Sequence, residues 1–195
     1  MRAVPGSRYL VFFSIAILGC LADLGTKSWI FDRLGMPGGQ TWWLSTNVVG
    51  FQTSLNEGAL FGLGQGMVVV FAVLSVIAGV GIVFWLFCAG AARDLLLTIA
   101  LGCVAAGILG NLYDRLGLPG LEWNFANELH DKGDPVYAVR DWILVMIGRR
   151  PWPNFNIADS LLVCGASLLL WHTFRHGHQE EPTTGSGQQA ADSSS

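Results

Sequence analysis

Apolar residues gather into four long runs nearly free of charge, at 9–31, 67–89, 95–112 and 157–174. Each falls within the ~17–25 residues with which an α-helix crosses the ~30 Å hydrocarbon layer of a bilayer. Backbone groups in lipid must satisfy one another, and runs this continuous do so as helices. The ten-residue alternation of a membrane barrel is absent. The pattern therefore predicts four transmembrane helices.

Residues 90–94 alone separate the second and third runs, so those helices are antiparallel neighbours joined by a tight turn. The two longer connections share the opposite side. In the first, Thr41-Trp42-Trp43-Leu44-Ser45 and Val48-Val49-Gly50-Phe51-Gln52 are β-branched and aromatic stretches bounded by Gly and Asn, which predicts a small sheet at the membrane surface. The second runs from Gly117 to Asn154 and carries Trp123, Trp142 and Trp152. Tryptophan is enriched where bilayer meets water, so this segment is expected to rest partly on headgroups. Beyond residue 178 the chain is polar and rich in Gly, Ser, Gln and Thr, too poor in apolar surface to offset the entropy of ordering. We read 1–178 as one integral membrane domain and 179–195 as a disordered tail.

Composition agrees. Only 13% of the residues are charged and 52% are hydrophobic, against roughly a quarter charged in soluble domains. With a net charge of −3 and scattered basic residues, the chain lacks the basic stripe that binds nucleic acid. Arg2, Arg8, Arg93 and Arg175 lie on one side and Arg33, Arg115, Lys132, Arg140, Arg149 and Arg150 on the other, so the basic residues do not orient the protein. Cys20, Cys88, Cys103 and Cys164 sit singly in apolar runs, as buried free thiols rather than a metal or disulfide framework. Ile17-Leu18-Gly19-Cys20 imitates a lipoprotein cleavage motif, but the apolar run continues past it to Ile30, so this segment is expected to remain as a helix.

Ionisable groups in or beside a membrane span are costly and therefore candidates for function. They are Asp23 and Lys27, Asp114 and Arg115, and Asp141 and Asp159. Asp23 and Lys27 are four residues apart on one helix face and can pair. Asp114-Arg115 serves as a helix-end pair, or Arg115 reaches a substrate carbonyl or headgroup. Asp159 opens the fourth run, where the helix dipole favours an acid. Asp141 lies in Val139-Arg140-Asp141-Trp142-Ile143; Asp131 and Asp134 in the same connection are equally acidic. If Asp141 and Asp159 converge, close carboxylates share a proton, leaving one as base and one as acid. That is aspartic-protease chemistry and needs no metal or organic cofactor. A zinc helix and a nucleophile elbow are both missing. A proton-coupled carrier would instead spread its acids through the membrane depth. Here they sit near the ends that face the long connections.

Five blocks in order, Asp23-Leu-Gly-Thr-Lys27, Asn56-Glu-Gly-Ala-Leu-Phe61, Gly107-Ile-Leu-Gly-Asn111-Leu-Tyr-Asp114-Arg115, Val139-Arg-Asp141-Trp-Ile143 and Phe155-Asn156-Ile-Ala-Asp159-Ser160, resemble those of the prolipoprotein signal peptidase (signal peptidase II) family. The resemblance covers about residues 10–175. It implies an all-α membrane fold of four helices with a small extracytoplasmic β cradle and a surface loop or helix. It implies Asp141 and Asp159 as catalytic dyad, Asn56, Gly58, Asn111, Arg115 and Asn156 as substrate-binding, and Asp23, Lys27 and Asp114 in support. It further implies a monomer in the inner membrane with cytoplasmic termini, an active site near the outer leaflet, and a diacylglyceryl-modified prolipoprotein as substrate, cut before the lipidated cysteine. The chain departs from the family pattern in the length of the 117–137 stretch and in the charge of Arg140, whose side chain must point away from Asp141 if the carboxyls are to share a proton.

Overall fold

The computed structural model describes residues 3–58 and 64–177. The tail expected to be disordered from 179 onward lies outside the described residues. Among the described residues, four helices have the length and apolarity of membrane spans. They are α1 (Gly6–Leu34), α2 (Val68–Val83, its span completed by the turn that runs on to Cys88), α3 (Leu95–Arg115) and α4 (Ile157–Gly177). α2 continues through a π-helical turn, Phe84–Cys88, that slots Phe87 among Tyr9, Phe12 and Phe13 of α1. Gly90, at φ 80°, turns the chain towards α3, and the Asp94 carboxylate caps α3 by accepting from the Leu97 N–H at 2.9 Å. Asp94 also meets His172 of α4 at 2.9 Å.

α3 is the centre of the bundle: 56% of its apolar window is buried in protein, against 11–17% for the other three spans. It packs chiefly on α4 and α1. Lipid tails are as apolar as leucine, so close backbone approach through small residues holds such helices together. A Cβ at Gly107 would stand 2.5 Å from the Ala158 carbonyl, and one at Gly165 would stand 2.7 Å from that of Ala100. α2 has no buried residue, so its aliphatic surface faces outward.

The connections on one side form a four-stranded antiparallel sheet, ordered β1 (Trp42–Ser45), β2 (Val49–Asn56), β3 (Val139–Ile147) and β4 (Arg150–Pro151). The sequence locates β1 and β2. The structure adds β3, which places Asp141 on an interior strand of the sheet. The surface element between α3 and β3 is a loop, pinned by a bridge between Glu122 and Pro135. Two of its expected interfacial tryptophans point inward. Trp123 packs with Val136 and Ala138, and Trp142 meets Phe51 edge-on; only Trp152 is exposed. All four cysteines are free, but Cys88 and Cys164 are exposed and Cys20 and Cys103 half-buried, so they are not the buried thiols the apolar runs indicated. An exposed thiol on a spanning helix keeps company with lipid.

Gly107→Ala should destabilise the protein by ~1–3 kcal/mol through overpacking. Gly79→Ala, where the added methyl meets nothing, should be neutral or stabilising by ~1 kcal/mol. Thermal unfolding of both variants in detergent checks the contrast.

Candidate active site

Apart from Asp131 and Asp134, the candidate residues named from the sequence lie where the sheet meets the ends of α1, α3 and α4, and the site is built on a buried cluster of charge. Lys27, fully buried, lies 2.7 Å from Asp23 Oδ2 and 3.0 Å from Asp114 Oδ2. Arg140 Nε lies 2.9 Å from Asp114 Oδ1. Two acids and two bases thus cancel in the protein interior, the condition under which buried charges are tolerated. Each member also holds something in place. Asp114 accepts the backbone N–H of Arg140 at 3.1 Å, tying β3 to α3. Asp23 accepts the Ala158 N–H at 2.9 Å, satisfying one of the orphan donors at the start of α4. Lys27 Nζ donates to Asn111 Oδ1 at 3.0 Å. Gly110 makes room, since a Cβ there would run into the Asp23 carboxylate.

The pairing of Asp114 differs from the helix-end pair offered by Asp114-Arg115. Arg140 takes that place, reaching also to Ser28 Oγ. The signal for this was present, because successive strand side chains point to opposite faces and Arg140 and Asp141 are consecutive in β3. Arg140 therefore points away from Asp141, as the chemistry requires.

Two asparagines link the candidate carboxyls. Asn156 Nδ2 donates to Asp141 Oδ1 at 2.7 Å and to Asn111 Oδ1 at 3.2 Å. Asn111 Nδ2 donates to Asp159 Oδ1 at 2.8 Å. Asn156 is also the cap of α4. Its Oδ1 accepts the Asp159 N–H at 2.8 Å while Asp159 Oδ2 accepts the Asn156 N–H at 3.3 Å, the reciprocal arrangement of a capping box. From β2, a one-residue register shift between Phe51 and Ser54 sets Ser54 opposite Asp141. Asn56, two residues on, shares that face and hydrogen-bonds Asp141. Asn56 Oδ1 accepts the Gly58 N–H at 3.0 Å, and Arg115 donates to the Gly58 carbonyl at 3.2 Å. Asp131 and Asp134 instead close a turn on each other, with Asp134 Oδ2 accepting the Asp131 N–H at 2.7 Å.

Asp141 is 2% exposed. Burial, and after it the charge of Asp159, pushes its carboxyl up to about 8; Lys27 and the hydrogen bonds from Asn156 and Asn56 only partly oppose this. Asp159 is partly open to solvent. The site thus presents one carboxylic acid that keeps its proton at neutral pH beside a second carboxyl reachable by water. Among the described residues no group of His, Cys, Asp and Glu is placed to hold a metal ion.

Residues 15–175 match the family model described as signal peptidase (SPase) II. The chain belongs to the signal peptidase II family. It is therefore a membrane peptidase, and the family's reaction is removal of signal peptides from prolipoproteins. Similar relatives are lipoprotein signal peptidases. That of Rhodopirellula baltica is 48% identical over 177 residues, spanning 88% of this chain and 75% of the relative. That of Rhodococcus jostii is 32% identical over 87% of this chain and 75% of the relative, and that of Geobacillus thermodenitrificans 31% over 87% and 92%. The fold is similar to a bacterial membrane enzyme structure solved by the in meso method at 2.3 Å, with a TM-score of 0.69, 24% identity, and coverage of 95% of this chain and 98% of that one. A second such structure, at 1.9 Å, gives a TM-score of 0.63 at 26% identity, covering 89% and 96%.

Removing one partner of a buried ion pair strands the others, so Lys27→Met should cost ~3–5 kcal/mol. Denaturant or thermal unfolding in detergent measures the loss, and a change below ~1 kcal/mol would show that the cluster is not what holds α1 to α3.

Proposed function

We propose that Asp141 and Asp159 are the catalytic dyad of an aspartic endopeptidase that cleaves diacylglyceryl-modified prolipoproteins just before the lipidated cysteine. The observation that carries this reading is the bridge of Asn156 and Asn111 between the two carboxyls, one of them buried and protonated. Water enters from the exposed side at Asp159, which takes one of its protons as the oxygen attacks the peptide carbonyl. Asp141 gives its proton to the carbonyl oxygen. In the second half Asp159 passes its proton to the leaving nitrogen while the hydroxyl returns one to Asp141, and the dyad is restored. Neither step draws on a metal or organic cofactor.

Asn56, Gly58, Asn111, Arg115 and Asn156 surround the dyad and bind the substrate backbone and headgroup in this reading; Asp23, Lys27 and Asp114 fix the elements that carry them. The relatives' activity supports the choice of substrate, and the substrate's acyl chains and signal segment confine it to the bilayer in which the four helices stand. The protein then acts as a monomer in the inner membrane, with both termini in the cytoplasm and the site towards the periplasmic leaflet.

Asp141→Asn and Asp159→Asn should each lower cleavage of a diacylglyceryl-modified prolipoprotein by ~100-fold or more, while Asp131→Asn retains it. Loss with Asp131→Asn alone would move the dyad.

The acid role also fixes a pH dependence, with cleavage falling as pH rises through about 8, where Asp141 loses its proton. Stability follows the same proton. The folded state holds it more tightly than the unfolded chain, so the stabilisation is complete below the unfolded value near 4 and is lost as pH rises to about 8. Asp141→Asn should therefore raise the thermal midpoint at pH 7, by ~5 °C, with the gain vanishing near pH 4. A gain equal at both pH values would contradict a raised Asp141.

A further inference from the structure

The chain holds one pair of consecutive basic residues, Arg149 and Arg150, and neither the buried charge cluster nor the dyad uses it. The pair sits at the tip of the β3–β4 hairpin, where Met146 lies opposite Pro151 and Ile147 opposite Arg150. Both arginines are exposed. Across 42–56 and 139–156, the segments that carry the sheet and its turns, the remaining charged residues are Arg140 and Asp141, and both are buried. The outer surface of the sheet is therefore cationic, with no exposed acid of its own to offset the pair.

Apolar side chains surround that charge. The Met146 N–H donates to the Val48 carbonyl at 2.8 Å, which sets the β1–β2 turn beside the hairpin. Leu44 and Ile147 are 61% exposed, Val48 51% and Trp152 44%. Large hydrophobic side chains left open together at one end of a sheet mark a contact surface.

The aromatic contacts fix its level. Trp42 of β1 lies 5.9 Å from Trp29 of α1. Because α1 runs on to Leu34, Trp29 stands ~8 Å inside the end of that spanning helix. β1 thus runs beside the end of the helix, with Trp29 and Trp42 both half-exposed, at the depth where tryptophan meets the boundary of bilayer and water. Adjacent strands are ~4.8 Å apart, so β3 lies within ~10 Å of β1. A surface at this depth that joins tryptophan and aliphatic side chains to two unopposed arginines is complementary to phosphate headgroups carrying net negative charge.

We propose that the β3–β4 hairpin, together with the β1–β2 turn, docks on anionic phospholipids in the leaflet beside the dyad. Ile147 lies six residues beyond Asp141 on β3, ~20 Å along the strand. Docking therefore holds the far end of this strand at the headgroups, and the charge of the lipid sets the tilt of the strand that carries Asp141. Each basic residue near an anionic surface favours contact by about fivefold. The inference goes beyond the proposed function and does not rest on it.

The test uses full-length protein with an environment-sensitive fluorescent residue at Thr46, exposed in the β1–β2 turn, in phosphatidylcholine bilayer discs into which phosphatidylglycerol is titrated. Emission should shift to the blue as phosphatidylglycerol rises, and salt at ~1 M, where the Debye length is ~3 Å, should reverse the shift. Arg149→Gln combined with Arg150→Gln should remove it, and Lys132→Gln, exposed in the loop after α3, should leave it unchanged. Arg149→Lys combined with Arg150→Lys keeps the charge and should keep the shift, which separates loss of charge from loss of fold. Emission indifferent to phosphatidylglycerol overturns the proposal, as does a shift that survives removal of both arginines or one lost equally in the lysine variant. Cleavage is not the readout, so the result stands apart from the fate of the proposed function.

Discussion

Neutralising charge inside a membrane protein is the constraint on which this fold depends. Lipid solvates neither Asp23 nor Lys27, and the cost of either alone is several kcal/mol. The cluster with Asp114 and Arg140 cancels charge, and because its members come from α1, α3 and β3, it also fixes where those elements meet. The sheet cannot slide along β3 without drawing Arg140 off Asp114, and α4 cannot shift without losing the Asp23 cap at Ala158. Its ion pairs lie at 2.7–3.0 Å, and one terminal nitrogen of Arg140 stays buried without a hydrogen-bond partner.

The two carboxyls come from different elements of that framework and acquire different properties from it. Asp141 stands on an interior strand, away from water, while Asp159 stands in the first turn of a helix at the edge of the bundle. The asparagines between them donate to both and carry no charge, so they align the pair without settling its protonation. The difference between the two carboxyls follows from burial and geometry alone.

Much of this was legible in the sequence because the bilayer imposes simple rules. The four spans and the tight turn at 90–94 follow from length and apolarity, and Asp23 and Lys27 are neighbours by helical spacing. The partners of Asp114 were not legible: they depend on β3, whose pairing with β2 joins residues almost ninety positions apart and leaves no local trace beyond the alternation of Arg140 and Asp141. Trp123 and Trp142 were misplaced for a related reason. Interfacial preference describes tryptophan on average, whereas here Trp123 packs on Val136 and Ala138 of its own connection and Trp142 packs on Phe51 of the other. The cysteines erred in the other direction, since apolar surroundings in a membrane protein mean lipid as readily as protein.

The start of α4 has a further consequence. Asn156 caps the helix and links the carboxyls, and Asp159 completes the cap that Asn156 begins. In the proposed mechanism, changes here act on folding and on chemistry together. The start of the helix is thereby also what draws Asp141 and Asp159 into one hydrogen-bonded network.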